Sequence, residues 1–255
     1  MPPPKTPNRA ATPGYGWPPD VPDSRDHTCA VPPAARALLP PLVDLRKQCP
    51  PVYDQGNIGS CTANAIAAAI QFDRRKQKLP DFTPSRLFIY YNERAMEHTI
   101  GTDAGAQIRD GIKSVAKKGA CPETDWPYDD THADPDSGAW QAGAKPTKKP
   151  SAKSFADARR HRAVTYQRVL RSLGQMKGCL AEGYPFVFGF SVYKSFEGAR
   201  VARTGILNLP AHGERGAGPD GAPAGHAVLC VGYDEKVGRF TVRNSWGRTW
   251  GMKGY

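Results

Sequence analysis

The chain has 255 residues, with 35 Lys and Arg against 24 Asp and Glu, a formal charge of +11 and 39% hydrophobic residues. That is enough chain to bury a core as one large domain or two small lobes, and enough apolar content to exclude disorder throughout. No stretch approaches about eighteen apolar residues, which excludes a membrane-spanning helix, and the opening Met1-Pro-Pro-Pro-Lys-Thr lacks the apolar run of a secretory leader. Proline then divides the chain: 14 of its 25 prolines fall in residues 1–51. Each fixes φ and removes an N–H donor, so the first segment is neither a regular helix nor a central strand. The boundary is drawn after Leu42, giving a Pro-rich extension over 1–42 and a folded body over 43–255 that opens with Val43-Asp44-Leu45-Arg46. Residues 62–75 are rich in Ala and Ile on most faces and predict a buried helix. Thr83-Pro84 reads as an N-cap followed by Pro at the first helical position, opening a helix to about Met96. A third helix is expected from about Ala106 to Lys117, with Ile108, Ile112 and Val115 at helical spacing.

The second half changes character. Residues 141–178 carry ten Lys and Arg against one acid, Asp157, and hold +9 of the total charge. Without aromatic interleaving or a nucleic-acid motif this stretch reads as a solvated basic linker, and nucleic acid is disfavoured as a partner. Residues 185–192, 227–233 and 239–243 are β-branched or aromatic and bounded by Gly or charge, so they predict strands. The run from His212 to Gly225 is Gly-rich, with two prolines, and reads as a flexible loop. Helices first and strands later imply an α+β protein with a helical lobe on a sheet lobe.

Three short blocks carry chemistry. Gln55-Gly56-Asn57-Ile58-Gly59-Ser60-Cys61 stands immediately before the buried helix, where unpaired N–H groups and the helix dipole favour a thiolate. Gly225-His226-Ala227-Val228 sets an imidazole at a strand start, and Asn244-Ser245-Trp246-Gly247 follows the next strand, with Trp250-Gly251 close behind. A thiol, an imidazole and an amide are the parts of an activated nucleophile with an oriented base.

These blocks, in this order, resemble the papain-like cysteine peptidases, whose pattern is Q-G-x-x-G-S-C, then G-H-A-V, then N-S-W-G-x-x-W-G-x-x-G-Y. Val43 to Arg46 resembles the start of the mature enzyme and Trp126-Pro127-Tyr128 a family turn, so the likeness spans 43–255. The Pro-rich tail and altered cysteines are similar to a divergent bacterial branch. The resemblance implies a two-lobe α+β fold: a helical N-terminal lobe, an antiparallel β-sheet or barrel C-terminal lobe, and the active site in the cleft between them. It implies a cysteine endopeptidase working through a thioester acyl-enzyme. Cys61 would be the nucleophile, held as a thiolate, with His226 as general base then acid and Asn244 orienting the imidazole. Trp246 would shield that bond, while Gln55 and the Cys61 N–H would form the oxyanion hole. Gly105, Gly225 and Trp250 would line the substrate cleft. Polypeptides are the implied substrates and a monomer the implied state, with no cofactor, metal or membrane.

Several departures qualify the likeness. Cys61 lies 165 residues before His226, a wider gap than the family's. Thr62 stands where many relatives carry Trp, Ile58 replaces a Cys that commonly anchors a disulfide, and the end at Tyr255 reads as a trimmed C-terminus. Cys230 reads as a free buried thiol, while pairing among Cys29, Cys49, Cys121 and Cys179 stays open, and with it the redox compartment and any secreted or periplasmic location. Residues 1–42 suggest a short inhibitory pro-region with Tyr15 and Trp17 as anchors and Cys29 as a tether, which would leave the enzyme latent. The rival reading is a catalytically silent papain-like peptide binder.

Overall fold

The structure is a computed structural model that describes residues 15–21, 23–32, 38–134, 137–163 and 165–255; the remainder of the Pro-rich extension lies outside them. Six helices and six strands are present among these residues. They are β1 (Thr28–Cys29), β2 (Leu42–Asp44), α1 (Cys61–Lys76), α2 (Arg86–Glu97), α3 (Ile108–Lys118), α4 (Ala152–Ala158), β3 (Arg168–Val169), α5 (Leu173–Ala181), β4 (Phe186–Val192), α6 (Ala199–Thr204), β5 (Ala224–Asp234) and β6 (Arg239–Arg243). No helix among the described residues is long and apolar enough to cross a membrane.

The centre of the molecule is α1 against β5. Cys61 to Ala68 are all buried on α1, and His226 to Tyr233 are all buried on β5, so the first two turns of α1 and most of β5 are enclosed by protein, as their largely apolar sequences require. β5 is paired antiparallel with β4 over 224–230, with β2 over 232–234 and with β6 over 229–234. The overlaps put β4 and β2 end to end along one edge of β5 and β6 along the other. α2 and α3 complete the helical side, where Phe72, Leu87, Ile89, Tyr90 and Val115 join a core that continues into Leu229 and Val231.

Two expectations are corrected. The cap of α2 is Ser85, whose Oγ accepts from Phe88 N (3.1 Å), rather than Thr83, because Pro84 is drawn into a bridge with Pro122. The basic stretch is not a solvated linker: it contains α4 and α5, which bury Ser154, Ala158, Cys179 and Leu180 while their Lys and Arg remain at the surface. Charge counting hid these helices because only a few positions in each face inward.

Residues 15–21 and 23–32 do not stand apart from the body. Arg109 N donates to Asp20 Oδ1 (3.0 Å), and Asp26 accepts from Arg109 (2.7 Å) and Arg168 (2.8 Å). β1 then pairs in parallel with β3, and Val31 exchanges two hydrogen bonds with the Gln175 side chain (2.7 and 3.1 Å).

Candidate active site

Cys61 opens α1 from a loop that is tied to the other half of the chain. Gln55 N donates to Ser245 O (2.8 Å), Gly247 N donates to Tyr53 O (3.0 Å), and Asp54 bridges Trp246. The thiol-bearing loop and the Asn244–Trp246 turn are therefore one unit. Gly56 supplies the turn with φ +60°, and a Cβ there would strike the Asp130 carboxylate. Tyr128 donates to Gln55 O (2.9 Å) and meets Ser60 Oγ (2.5 Å), joining the two ends of the loop from within. Asp103 accepts from Gly59 N (2.9 Å).

The imidazole arrives on β5. His226 is fully buried, and its Nε2 donates to Asn244 Oδ1 (2.8 Å). Ser245 N donates to the same oxygen (2.8 Å), so the amide orientation is fixed by two donors and the His226 proton sits on Nε2. Trp246 lies over the imidazole with ring centroids 5.1 Å apart, and Phe190 and Phe196 close further sides at 5.9 and 6.0 Å. Trp250 packs edge-on to Trp246 and against Phe196. Gln55 is fully buried; its Oε1 accepts from Ser245 Oγ (2.6 Å) and its Nε2 donates to Ile58 O (3.0 Å).

The cleft over these groups is filled by the chain's own residues. The Tyr15 ring stands edge-on to His226 at 5.9 Å, and its hydroxyl donates to Glu197 (3.0 Å). Gly16 lies against Gly59 and Gly105: a Cβ on Gly16 would stand 1.8 Å from Gly59 O. Its carbonyl accepts from Ala106 N (2.7 Å). Trp17 N donates to Gly225 O (3.1 Å), and the Trp17 indole covers Gly189, where a Cβ would stand 2.0 Å from the ring. Gly105 and Gly225 thus meet a backbone in this structure, that of residues 16 and 17. A cavity of about 440 Å³ lined by Trp126, Asp129, Lys145 and Lys148 is formed by other parts of the chain.

This cover desolvates the thiol. Burial pushes Cys61 up to about 12, opposed in part by the backbone amides of Ala227, Gly16 and Thr62. Desolvation of the covered thiol thus opposes the thiolate that the helix N-terminus and these amides favour. Behind it, Glu93 is wholly buried, accepts from Thr62 Oγ1 (2.6 Å), and is driven far above the usual carboxyl range by that burial. Thr62, which stands in the place of a family Trp, is thereby tied to α2. All six cysteines are thiols.

Sequence reasoning reaches Cys61, His226, Asn244 and Gln55 because each lies in a contiguous block. It misses Ser245 on Gln55, Asp103 on Gly59 and the Phe190–Phe196 wall, which depend on contacts between distant segments. Only Tyr15 and Trp17 gave a signal, as aromatic residues in a Pro-rich stretch.

Comparison with known proteins follows the same outline. The family model described as papain family cysteine protease matches residues 39–255. A peptidase C1-like protein of Acanthamoeba polyphaga mimivirus is 40% identical over 232 residues, covering 86% of this chain and 68% of that protein. Pro-cathepsin H of Bos taurus is 29% identical over 228 residues, 85% of this chain and 58% of that protein, so the chain spans under two thirds of that relative. Among solved structures, xylellain, a cysteine protease from Xylella fastidiosa, superposes with a TM-score of 0.86 at 49% identity, covering 96% of this chain and 89% of that one.

Proposed function

Because the chain belongs to the papain family of cysteine proteases, we propose that Cys61 and His226 carry its peptide-bond hydrolysis and that residues 15–17 hold it latent. The observation that carries the reading is His226 Nε2 bonded to Asn244 Oδ1 under Trp246. With the proton on Nε2, Nδ1 is the basic nitrogen that takes the Cys61 proton as sulfur attacks the substrate carbonyl. Asn244 holds the ring through both proton transfers, the second being delivery to the leaving amine. Gln55 Nε2, its amide oriented by Ser245, and the Cys61 N–H receive the developing oxyanion. Loss of the amine leaves a thioester, which water hydrolyses with His226 again as base. Gly105 and Gly225 offer main-chain groups to a peptide, as they do to residues 16 and 17, and Trp246 and Trp250 keep water from the imidazole.

Latency is supported by the same contacts. The Gly16 amide acts on Cys61, and the Gly16 carbonyl is held by Ala106 N. On this reading residues 43–255 are the peptidase domain and residues 1–42 a pro-region that acts as an intramolecular inhibitor.

The test is intact mass after exposure to a peptidyl epoxide directed at activated thiols, for wild type, Cys61→Ala and Gly16→Ala. A Cβ at Gly16 cannot seat against Gly59 O, so Gly16→Ala should label at least about tenfold faster than wild type. Cys61→Ala should take no label. Equal rates for wild type and Gly16→Ala would remove the latency reading. No label on either would leave a silent peptide binder.

A further inference from the structure

Two thiols outside the reaction are brought into one seam. β1 sets Cys29 opposite Val169 of β3, and α5 follows β3 within the same stretch. Two residues beyond Cys29, Val31 is stitched to α5: its N–H donates to Gln175 Oε1 (2.7 Å), and its carbonyl accepts from Gln175 Nε2 (3.1 Å). Its methyl groups fill the space above Gly178, where a Cβ would stand 2.6 Å away. In extended chain, residues 29 and 31 project to one side, and on a helix, residues 175 and 179 share a face. Cys29 and Cys179 therefore both address the seam between the N-terminal segment and α5. Burial first, and then Glu182 at the end of α5, raises Cys29, and Cys179 is pushed up to about 12, first by burial and then by Cys29 itself. Cys29 is partly exposed and Cys179 is 7% exposed, whereas the next thiol inward, Cys230, is fully buried on β5.

We propose that Cys29 and Cys179 are a disulfide-forming modification site, whose substrate is a low-molecular-weight disulfide, and that the bridge fastens the N-terminal segment over the cleft. The proposal rests on the latency reading above. Cys29, the accessible thiol, loses its proton and attacks one sulfur of the external disulfide, expelling one thiolate and forming a mixed disulfide. Cys179, deprotonated in turn, attacks the Cys29 sulfur and expels the second thiolate. Two protein thiols are oxidised by two electrons, one external disulfide is reduced to two thiols, and the two protons pass to those products.

The consequence follows from connectivity. In the dithiol form the segment is covalently joined to the body only through residues 30–41. Once bridged, it is also held at Cys29, twelve residues beyond Trp17, and the shortened arm keeps Tyr15–Trp17 at a higher effective concentration over the cleft. A cut anywhere in 30–41 then no longer frees it. Reduction restores release.

The experiment uses the full chain. Cys61→Ala protein is incubated with oxidised glutathione and mapped by mass spectrometry without reduction; the expected product has lost two hydrogens and yields one peptide pair linking Cys29 to Cys179. Cys29→Ser, at a partly exposed position that disturbs no core, should yield none. Wild type is then oxidised, freed of glutathione and compared with its phosphine-reduced form for the rate of Cys61 alkylation by the peptidyl epoxide. The oxidised form should be about tenfold slower, and Cys29→Ser should show no difference after identical treatment. Failure to find the Cys29–Cys179 peptide overturns the proposal. So does a bridge that leaves the rate unchanged while Gly16→Ala remains faster than wild type. A bridge without effect, together with a Gly16→Ala variant no faster than wild type, overturns the latency reading beneath it.

Discussion

At Asn244 two donors meet one oxygen: His226 Nε2 and Ser245 N each lie 2.8 Å from Oδ1. The amide cannot rotate without leaving a buried N–H unpaired, so the imidazole inherits its orientation from the backbone of the next residue. Asn244→Ala should lower kcat about 10²-fold, the typical effect of a misplaced reacting group, while KM moves little because Asn244 touches none of residues 15–17. Steady-state kinetics on the Gly16→Ala background measures both. A fall in kcat/KM that came wholly from KM would assign Asn244 to substrate binding instead. This residue was legible in the sequence because Asn244-Ser245-Trp246-Gly247 is a contiguous block that resembles the family's, and its role came with that resemblance. Ser245 on Gln55 was not legible, since it joins positions 190 apart, and nothing in either neighbourhood signals the other.

Elements show the same division between local and distant signals. β6 was read at its observed bounds and α1 within a residue or two, because hydrophobic period and Gly or charge at the ends suffice for a buried element. The start of α2 was misplaced because Thr83-Pro84 satisfies a local rule that Ser85 satisfies better in three dimensions: its Oγ accepts from Phe88 N and donates to Trp126 O (2.6 Å). Ser85→Ala should therefore cost about 1–2 kcal/mol in urea unfolding, whereas Thr83→Ala should stay within about 0.5 kcal/mol. Equal costs would restore Thr83 as the cap. Between α1 and α2, Glu93 makes a second prediction. Burial raises its carboxyl far above 4.5, so the native state keeps a proton that the unfolded chain releases. Stability conferred by this site is then lost as pH rises beyond that value, because the native state binds more protons than the unfolded one. Glu93→Gln, neutral at every pH, should match wild type in urea midpoint near pH 5 and exceed it increasingly toward pH 8. A wild-type midpoint that does not fall relative to the variant over that range would mean that Glu93 ionises in place.

Across the whole molecule, the charge that looked like a solvated run has a partner in the N-terminal segment. Arg168 belongs to the basic stretch and Arg109 to the first turn of α3, and both donate to Asp26. Arg109 N also holds Asp20, and Lys113 lies 4.0 Å from Asp23. A segment carrying Asp20, Asp23 and Asp26 is thus clasped by cations from both halves of the chain, upstream of the Cys29 seam. Counting charge by window could not find this, because the acids and bases lie more than eighty residues apart. Arg109 and Arg168 hold Asp26 below the ordinary 3.8, so the clasp is complete at neutral pH and lost only as pH falls through that lowered value; mild alkali does not loosen it. The Asp26–Arg109 pair is 15% and 12% exposed and Arg168 is 44% exposed, so each contact carries the modest energy of a partly solvated pair. Asp26→Asn at pH 7 and low ionic strength should then speed epoxide labelling of Cys61 about 2–10-fold over wild type. Added salt should quicken wild type more than the variant, since it screens a clasp that Asp26→Asn has already removed. If the two label at one rate and respond alike to salt, the aromatic and main-chain contacts of residues 15–17 hold the cleft by themselves, and the ion pairs serve only to guide the segment into place.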